Sequence, residues 1–276
     1  IRDSVASRGL GDVYKRQCPH YYRYGVDGES EEDFATRMAA SLEQMIADEG
    51  AETIAAFIAE PVMGAGGVIV PPKTYFDKIQ PILKRNDILF IVDEVICGFG
   101  RTGNMFGTQT FNLEPDMICI AKALSSAYLP ISGLLMNEKI YDVVRTNSDK
   151  IGIFGHGFTY SGHPVAAAVA IETLKIYEER DIVSHVRTVA PELQNGLRGL
   201  ADHPYVGEVR GIGLLAAVEI VKNKKTRENF DPTLGIGAYL AGRAQEQGLL
   251  LRPIGDAVAF SPPLVITSGE ISELVE

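Results

Sequence analysis

Asp93 and Lys122 are the residues whose types and places in the chain most directly suggest chemistry. Each stands at the end of a short apolar run, Asp93 after ILFIV and Lys122 after MICIA. Short apolar runs bounded by turn residues read as strands buried in a parallel sheet. Such sheets place ligands in the crevice outside the carboxyl ends of their strands. Both side chains are therefore expected at one sheet edge. An acid and an amine held there suit a pyridinium cofactor bound as an imine. The acid keeps the ring nitrogen protonated so that the ring can act as an electron sink. A desolvated amine is available as a nucleophile near neutral pH. The surroundings of Lys122 favour that setting, being apolar from Met117 to Ala121 and small at Ala123, Ser125, Ser126 and Ala127. Each residue also has a plainer reading, since strand-end lysines are commonly solvated and strand-end aspartates commonly cap turns.

Other residues join this pair. Val95, two positions after Asp93, points the same way in an extended chain and could pack on a ring face. Thr159 lies among glycines 152, 155, 157 and 162, where its hydroxyl could donate to a phosphate oxygen or merely stabilise a turn. Arg252 follows three leucines, and is either paired with a surface acid or a bidentate clamp for a substrate carboxylate. Gly98, Gly100 and Gly103 match a dinucleotide fingerprint, but no apolar helix opens at Gly103, so the match is rejected. The five histidines show no metal-ligand spacing, and no metal site is expected.

The elements that must position these groups follow from periodicity. Helices are expected over Glu29–Glu49, Lys73–Arg85 (with Pro81 as a blemish), Glu138–Arg145, His163–Glu179, Asp181–Leu200, Ile236–Gln247 and from Ser268 onward. Strands are expected at Ile54–Glu60, at the two apolar runs, and at Gly133–Met136. A hairpin follows in EVRGIGLLAAVEIV, then short strands around Leu249–Arg252 and Val258–Phe260. This order implies an α/β domain with a mostly parallel central sheet and helices on both faces, then a smaller α+β domain. Residues 1–17 show no defensible period and read as a foreign leader, leaving residues 18–180 and 181–276 as the two domains. The chain opens on Ile1 and stops inside an apparent helix at Glu276, so it reads as truncated at both ends.

Composition narrows the class. Hydrophobic content of 46% with 22% charged residues suits a soluble enzyme, and the net charge of −10 argues against nucleic acid and anionic membranes. The basic stretch Lys222–Arg227 reads as a solvated loop. Three cysteines without metal or disulfide spacing fit a reducing cytosol, so the protein is expected to be cytoplasmic. No apolar run reaches membrane-spanning length.

Four motifs in order, EPVMGAGG, IVDEVICGFGRTG, PDMICIAKALSSAYLPISG and GHGFTYSGHPVAAAVA, resemble the class III pyridoxal-phosphate aminotransferases of fold type I. Within that group the chain is most similar to omega-amino acid:pyruvate transaminases, over roughly residues 30 to 276. The resemblance implies pyridoxal 5'-phosphate as cofactor, Lys122 as its covalent anchor, Asp93 at its pyridine nitrogen and Val95 against its ring. It implies a homodimer with a shared active site, Thr159 reaching the phosphate in the neighbouring subunit. An ornithine-like branch carries an arginine where Ala259 stands, paired with a glutamate where Glu60 stands. The pyruvate branch carries its carboxylate-binding arginine at Arg252. The family's glycine–serine phosphate cup lies upstream of the matching residues. The implied function is transamination from an amine or omega-amino acid donor to a keto acid acceptor such as pyruvate. A same-fold aminomutase or decarboxylase, a catalytically inactive fragment and a nicotinamide oxidoreductase are the alternatives.

Overall fold

Two four-stranded sheets carry the residues that the computed structural model describes, 18–276. The leader read over residues 1–17 lies outside them. A single turn α1 (Tyr21–Tyr24) leads into α2 (Glu31–Glu49), then β1 (Ala56–Ala59), α3 (Tyr75–Arg85) and β2 (Leu89–Asp93). A short turn of helix α4 (Gly107–Thr110) precedes β3 (Met117–Ile120), β4 (Gly133–Met136), α5 (Glu138–Ile151) and α6 (Pro164–Glu179). The second half comprises α7 (Ile182–Arg198), β5 (Val206–Ile212), β6 (Leu215–Ile220), α8 (Ile236–Glu246), β7 (Arg252–Ile254), β8 (Ala257–Phe260) and α9 (Ser268–Val275).

The first sheet has the order β1-β2-β3-β4, with β1–β2 and β2–β3 parallel and β3–β4 antiparallel. Helix α2 starts where Ser30 and Asp33 bond each other's backbone N–H groups in a capping box, and three acids fill its first turn. Its apolar stripe Phe34, Met38 and Leu42 packs with Phe76, Ile79 and Leu83 of α3 against Phe90 and Val92 of β2. Pro81 sits inside α3 without ending it. On the other side, Leu124 and Ala170 of α6 pack together with Ile120 at the end of β3. Side chains alternate along a strand, so Ile58, Glu60, Ile91 and Asp93 share the face opposite α2 and α3.

The second sheet is antiparallel throughout, order β5-β6-β8-β7. One face packs Ala216, Val218, Val258 and Phe260 against Val186, Val189, Leu193 and Leu197 of α7 and Ile271 of α9. The opposite face sets Leu215 and Ala217 against Val62, Val68 and Cys97 from the first half. The apolar cluster around α7 begins in earnest at Ile182, and a domain division near residue 180 is proposed on that ground.

Several elements depart from the sequence reading. β1 is shorter than Ile54–Glu60, because Ala51–Thr53 form a 3-10 turn and Glu60 leaves the ladder. α5 runs on to Ile151, where Gly152 at φ +74° closes it. The strand expected around Leu249 starts only at Arg252, and its Pro253 is tolerated because β7 is an edge.

The hairpin turn Gly213–Leu214 touches the first half of the chain directly. Leu214 donates its N–H to the Arg101 carbonyl at 3.0 Å, and Gly213 adopts φ +59°. A Cβ at Gly213 would collide with the Arg101 carbonyl and the Thr102 backbone. Gly213→Ala should therefore lower stability by about 2 kcal/mol or more, from left-handed strain plus the clash. Urea unfolding checks this, and an unchanged midpoint would remove Gly213 from the docking contact.

Candidate active site

The register of three parallel strands builds the site. Ala59 pairs with Val92 and Asp93 with Cys119, so Glu60, Asp93 and the residues just after Cys119 leave the sheet at one edge. Lys122 stands three residues beyond Cys119. The sequence-derived pair thus meets at adjoining strand ends, with Glu60 as a third member.

Asp93 is half-buried, and its Oδ1 accepts the Val95 N–H at 3.0 Å. Val95 accordingly begins a turn rather than continuing an extended chain, which corrects the alternation argument for it. Its proximity to Asp93 now comes from this Asx-type turn. Among the described residues, Asp93 Oδ2 accepts no hydrogen bond. The turn-capping bond therefore leaves one oxygen of this carboxylate uncommitted among the described residues.

Glu94, next in the chain, is fully buried and accepts the N–H groups of Gly107 (2.9 Å) and Thr108 (2.6 Å). Burial pushes its carboxyl up, opposed by those two donors. It ties the glycine-rich turn after Asp93 to α4, and Gly98, Gly100 and Gly103 serve that turn, not a helix start. Arg101 in the same turn donates to the Leu214 carbonyl at 3.3 Å and also to Pro262, and its burial lowers its pKa to about 10.

Lys122 opens a 3-10 turn, Lys122–Ser125, with φ +45°. The desolvated setting expected for it is not found. Its side chain is exposed, as are Ser126, Ala127 and Tyr128 after it, so small neighbours leave the amine open instead of enclosing it. The turn itself is fixed from below. Leu124 and Ser125 are buried, Ser125 Oγ donates to the Leu129 carbonyl at 2.7 Å, and Tyr177 of α6 donates to the Ala123 carbonyl at 2.9 Å. The strained backbone at Lys122 is held by those contacts.

Glu60 is half-buried and its Oε2 accepts the Gly64 N–H at 2.8 Å. Burial raises its pKa, the Gly64 bond lowers it, the charge of Asp93 raises it and that of Lys122 lowers it. Glu60 therefore feels both other members of the site, which places all three in one electrostatic neighbourhood.

Arg252 opens β7, is exposed, and makes no hydrogen bond or ion pair among the described residues. Its register partner is Ala259, whose partner in turn is Ala217. The two positions where the family's branches place a carboxylate-binding arginine are thus cross-strand neighbours. Both lie on the face that packs against Val62, Val68 and Cys97. Thr159 stands apart, exposed in the turn closed by Ser161 N–H to the Phe158 carbonyl (2.9 Å), with no hydrogen bond joining it to the other five residues.

Sequence reasoning missed Glu94, Tyr177 and a buried group around Arg210. His20, Glu208 and Glu219 bring one ligand atom each to within 4.8 Å of one another, with His20 and Glu208 188 residues apart in sequence. Arg210 bonds both carboxylates and Arg23 bonds Glu219, so cations of the protein itself already occupy this acidic group.

The donor set fits pyridoxal phosphate at the ring. That cofactor needs an acid at the pyridine nitrogen and an amine at the aldehyde carbon, and Asp93 and Lys122 supply one each at neighbouring strand ends. Glu60 also yields a pH prediction. A carboxyl raised in the folded chain holds its proton longer than in the unfolded one, so stability falls as pH climbs from its ordinary value of 4.5 through the folded value. Glu60→Gln keeps an acceptor for Gly64 and should stabilise the chain at pH 8 but not at pH 4. Urea midpoints at the two pH values check this, and equal effects at both would contradict it.

Comparison with known proteins agrees with this geometry. The family model described as "Aminotransferase class-III" matches residues 5–276. Gamma aminobutyrate transaminase 1, mitochondrial, from Solanum lycopersicum is 54% identical over 263 residues, 95% of this chain and 51% of its own length. The rice (Oryza sativa subsp. japonica) Gamma-aminobutyrate transaminase 1 matches to the same extent. Among solved structures, a transaminase with L-ala superposes with a TM-score of 0.93 at 57% identity, covering 94% of this chain and 61% of the other. The omega transaminase of Pseudomonas jessenii in complex with PMP gives a TM-score of 0.93 at 52% identity, covering 98% and 60%. The chain spans about half the length of the curated relatives it matches. An acid and a lysine at adjoining strand ends, inside a match of this extent, leave one conclusion: the chain belongs to the class-III aminotransferase family.

Proposed function

We propose that the protein moves an amino group from an amine or omega-amino acid to a keto acid such as pyruvate, with pyridoxal phosphate between Asp93 and Lys122. The observation that carries this reading is the parallel register pairing Ala59 with Val92 and Asp93 with Cys119, with Glu60 and Lys122 just beyond the ends of their strands. Pyridoxal phosphate, when bound, supplies an electron sink for the bond broken at the amine-bearing carbon. Asp93 holds the proton on the pyridine nitrogen through its uncommitted oxygen. Lys122 Nζ would hold the cofactor's aldehyde carbon, and as a free amine would accept the proton from the substrate's amine-bearing carbon and give it back to a carbon of the same system. Exposure of Nζ keeps it reachable by an aldehyde. Val95 packs on the ring face.

Arg252 clamps the carboxylate of the acceptor or of an omega-amino acid donor. Two relatives' names support this chemistry from both sides. Gamma-aminobutyrate is an omega-amino acid with such a carboxylate, and L-alanine is what pyruvate becomes on receiving an amino group. The reading includes a homodimer in which Thr159 donates to the phosphate in the partner's site. Its support is the exposed apolar loop, with Phe158 at 77% and Tyr160 at 80% exposure, a surface that a second subunit would cover. We place the protein in the cytosol because Cys18, Cys97 and Cys119 are all free thiols. No helix among the described residues is long and apolar enough to cross a membrane.

Borohydride reduction of the protein loaded with pyridoxal phosphate should attach the cofactor to the peptide bearing Lys122, and Lys122→Ala should abolish that label. A label on another lysine would overturn the assignment. Arg252→Leu should raise KM for pyruvate roughly ten- to a hundredfold, the worth of a charge-assisted bidentate contact. Its KM for an uncharged amine donor should hold. Steady-state kinetics with both substrates check this, and equal losses on the two would remove Arg252 from carboxylate recognition.

A further inference from the structure

We propose that Arg210 is a positioning residue that pins the second sheet to the turn holding Glu60, and so sets Arg252 over the strand-end site. Arg210 pairs with Ala217, Ala217 with Ala259 and Ala259 with Arg252, so two arginines flank two alanines in one row across all four strands. Directly opposed residues share a face of the sheet. The two arginines differ in everything else.

Arg210 is buried and almost fully bonded. Its Nε and Nη2 donate to the Gly67 carbonyl at 2.9 and 2.7 Å, and its Nη1 donates to Glu208 Oε2 at 2.8 Å and Glu219 Oε2 at 2.7 Å. Both acids are braced in turn, Glu208 by His20 Nε2 at 2.8 Å and Glu219 by Arg23 Nε at 3.0 Å. Burial opposes ionisation of Glu219, but Arg210 and Arg23 outweigh it and hold its carboxyl below the ordinary range. Arg252, at the other end of the row, is exposed and unpartnered among the described residues. One guanidinium is an anchor and the other is free to take a ligand.

The anchor reaches the site through one turn. Gly67 adopts φ +119°, a conformation that favours glycine, and donates its N–H to the Gly64 carbonyl at 3.1 Å. Gly64 donates its own N–H to Glu60 Oε2. A lysine at position 210 could not give two donors to one carbonyl while facing two carboxylates. Buried ion pairs contribute little net stability, and fixing registry is their best-attested use. The apolar contacts of Val62 and Val68 already supply adhesion between the halves. What Arg210 adds is a defined offset between Glu60 on one sheet and Arg252 on the other.

That Glu60 and Arg252 serve a substrate rests on the reading above; the pinning does not, and the test separates them. In the full chain without cofactor, Arg210→Lys should speed hydrogen exchange at the Gly64 amide about tenfold, the loss expected for one hydrogen bond in this network. The midpoint of Glu60, followed by carboxyl-carbon NMR, should move upward as the Gly64 bond weakens, since the substitution removes neither of the charges that act on it, Asp93 and Lys122. In the loaded enzyme, KM for pyruvate should rise more than kcat falls. Glu219→Gln, which leaves Arg210 in place with one partner weakened, should shift both NMR readouts less and in the same direction. Wild-type exchange and midpoint in a folded Arg210→Lys chain would overturn the proposal. So would loss of folding in both variants, which marks a structural ion cluster only. If every loaded protein lacks activity, the two NMR readouts still decide the pinning, while the transaminase reading fails separately.

Discussion

The site depends on parallel pairing of β1, β2 and β3 in a register that ends all three at one edge. Parallel strands run the same way, so polar residues that finish their apolar runs are delivered side by side with no long-range instruction in the chain. Glu60, Asp93 and Lys122 are separated by tens of residues, yet the parallel register brings the strand ends that carry them to one edge of the sheet. A one-residue slip of β2 would turn Asp93 to the face covered by α2 and α3 and seat Glu94 in its place. The buried bonds of Glu94 to Gly107 and Thr108 oppose that slip, because they satisfy a carboxyl in the one environment where it would otherwise be costly.

A second sheet completes the arrangement. Its α7-facing side is an ordinary apolar core, whereas the other side presents alanines where larger residues would hold the halves apart. Ala217 and Ala259 let the 61–70 turn approach, and arginines stand at both ends of that alanine row. Arg252 and Ala259 are neighbours on adjoining strands of that row, about 5 Å apart.

Much of this was legible in the sequence, for reasons that can be named. Asp93 and Lys122 stood out because a strand's end is a local feature, visible as an apolar run closed by a charge. The helices α2, α6 and α7 were visible from apolar periodicity. Less was readable where local and tertiary demands part. Val95 leaves the strand because Asp93 caps its N–H, and the open surroundings of Lys122 were hidden because small residues suit tight packing and exposure equally. Arg210 gave no signal at all, since its meaning lies in Gly67, 143 residues away. Glu94 reads as one more acid beside Asp93 until its two backbone donors are seen.

If Asp93 and Lys122 address opposite ends of one pyridine ring, the ring nitrogen reports on it most directly. Pyridoxal phosphate labelled with nitrogen-15 should show the chemical shift of a protonated nitrogen in the wild-type protein and of an unprotonated one in Asp93→Asn, with Lys122 intact in both. The same shift in the two proteins would mean that Asp93 does not face the ring, and the account would fail with it.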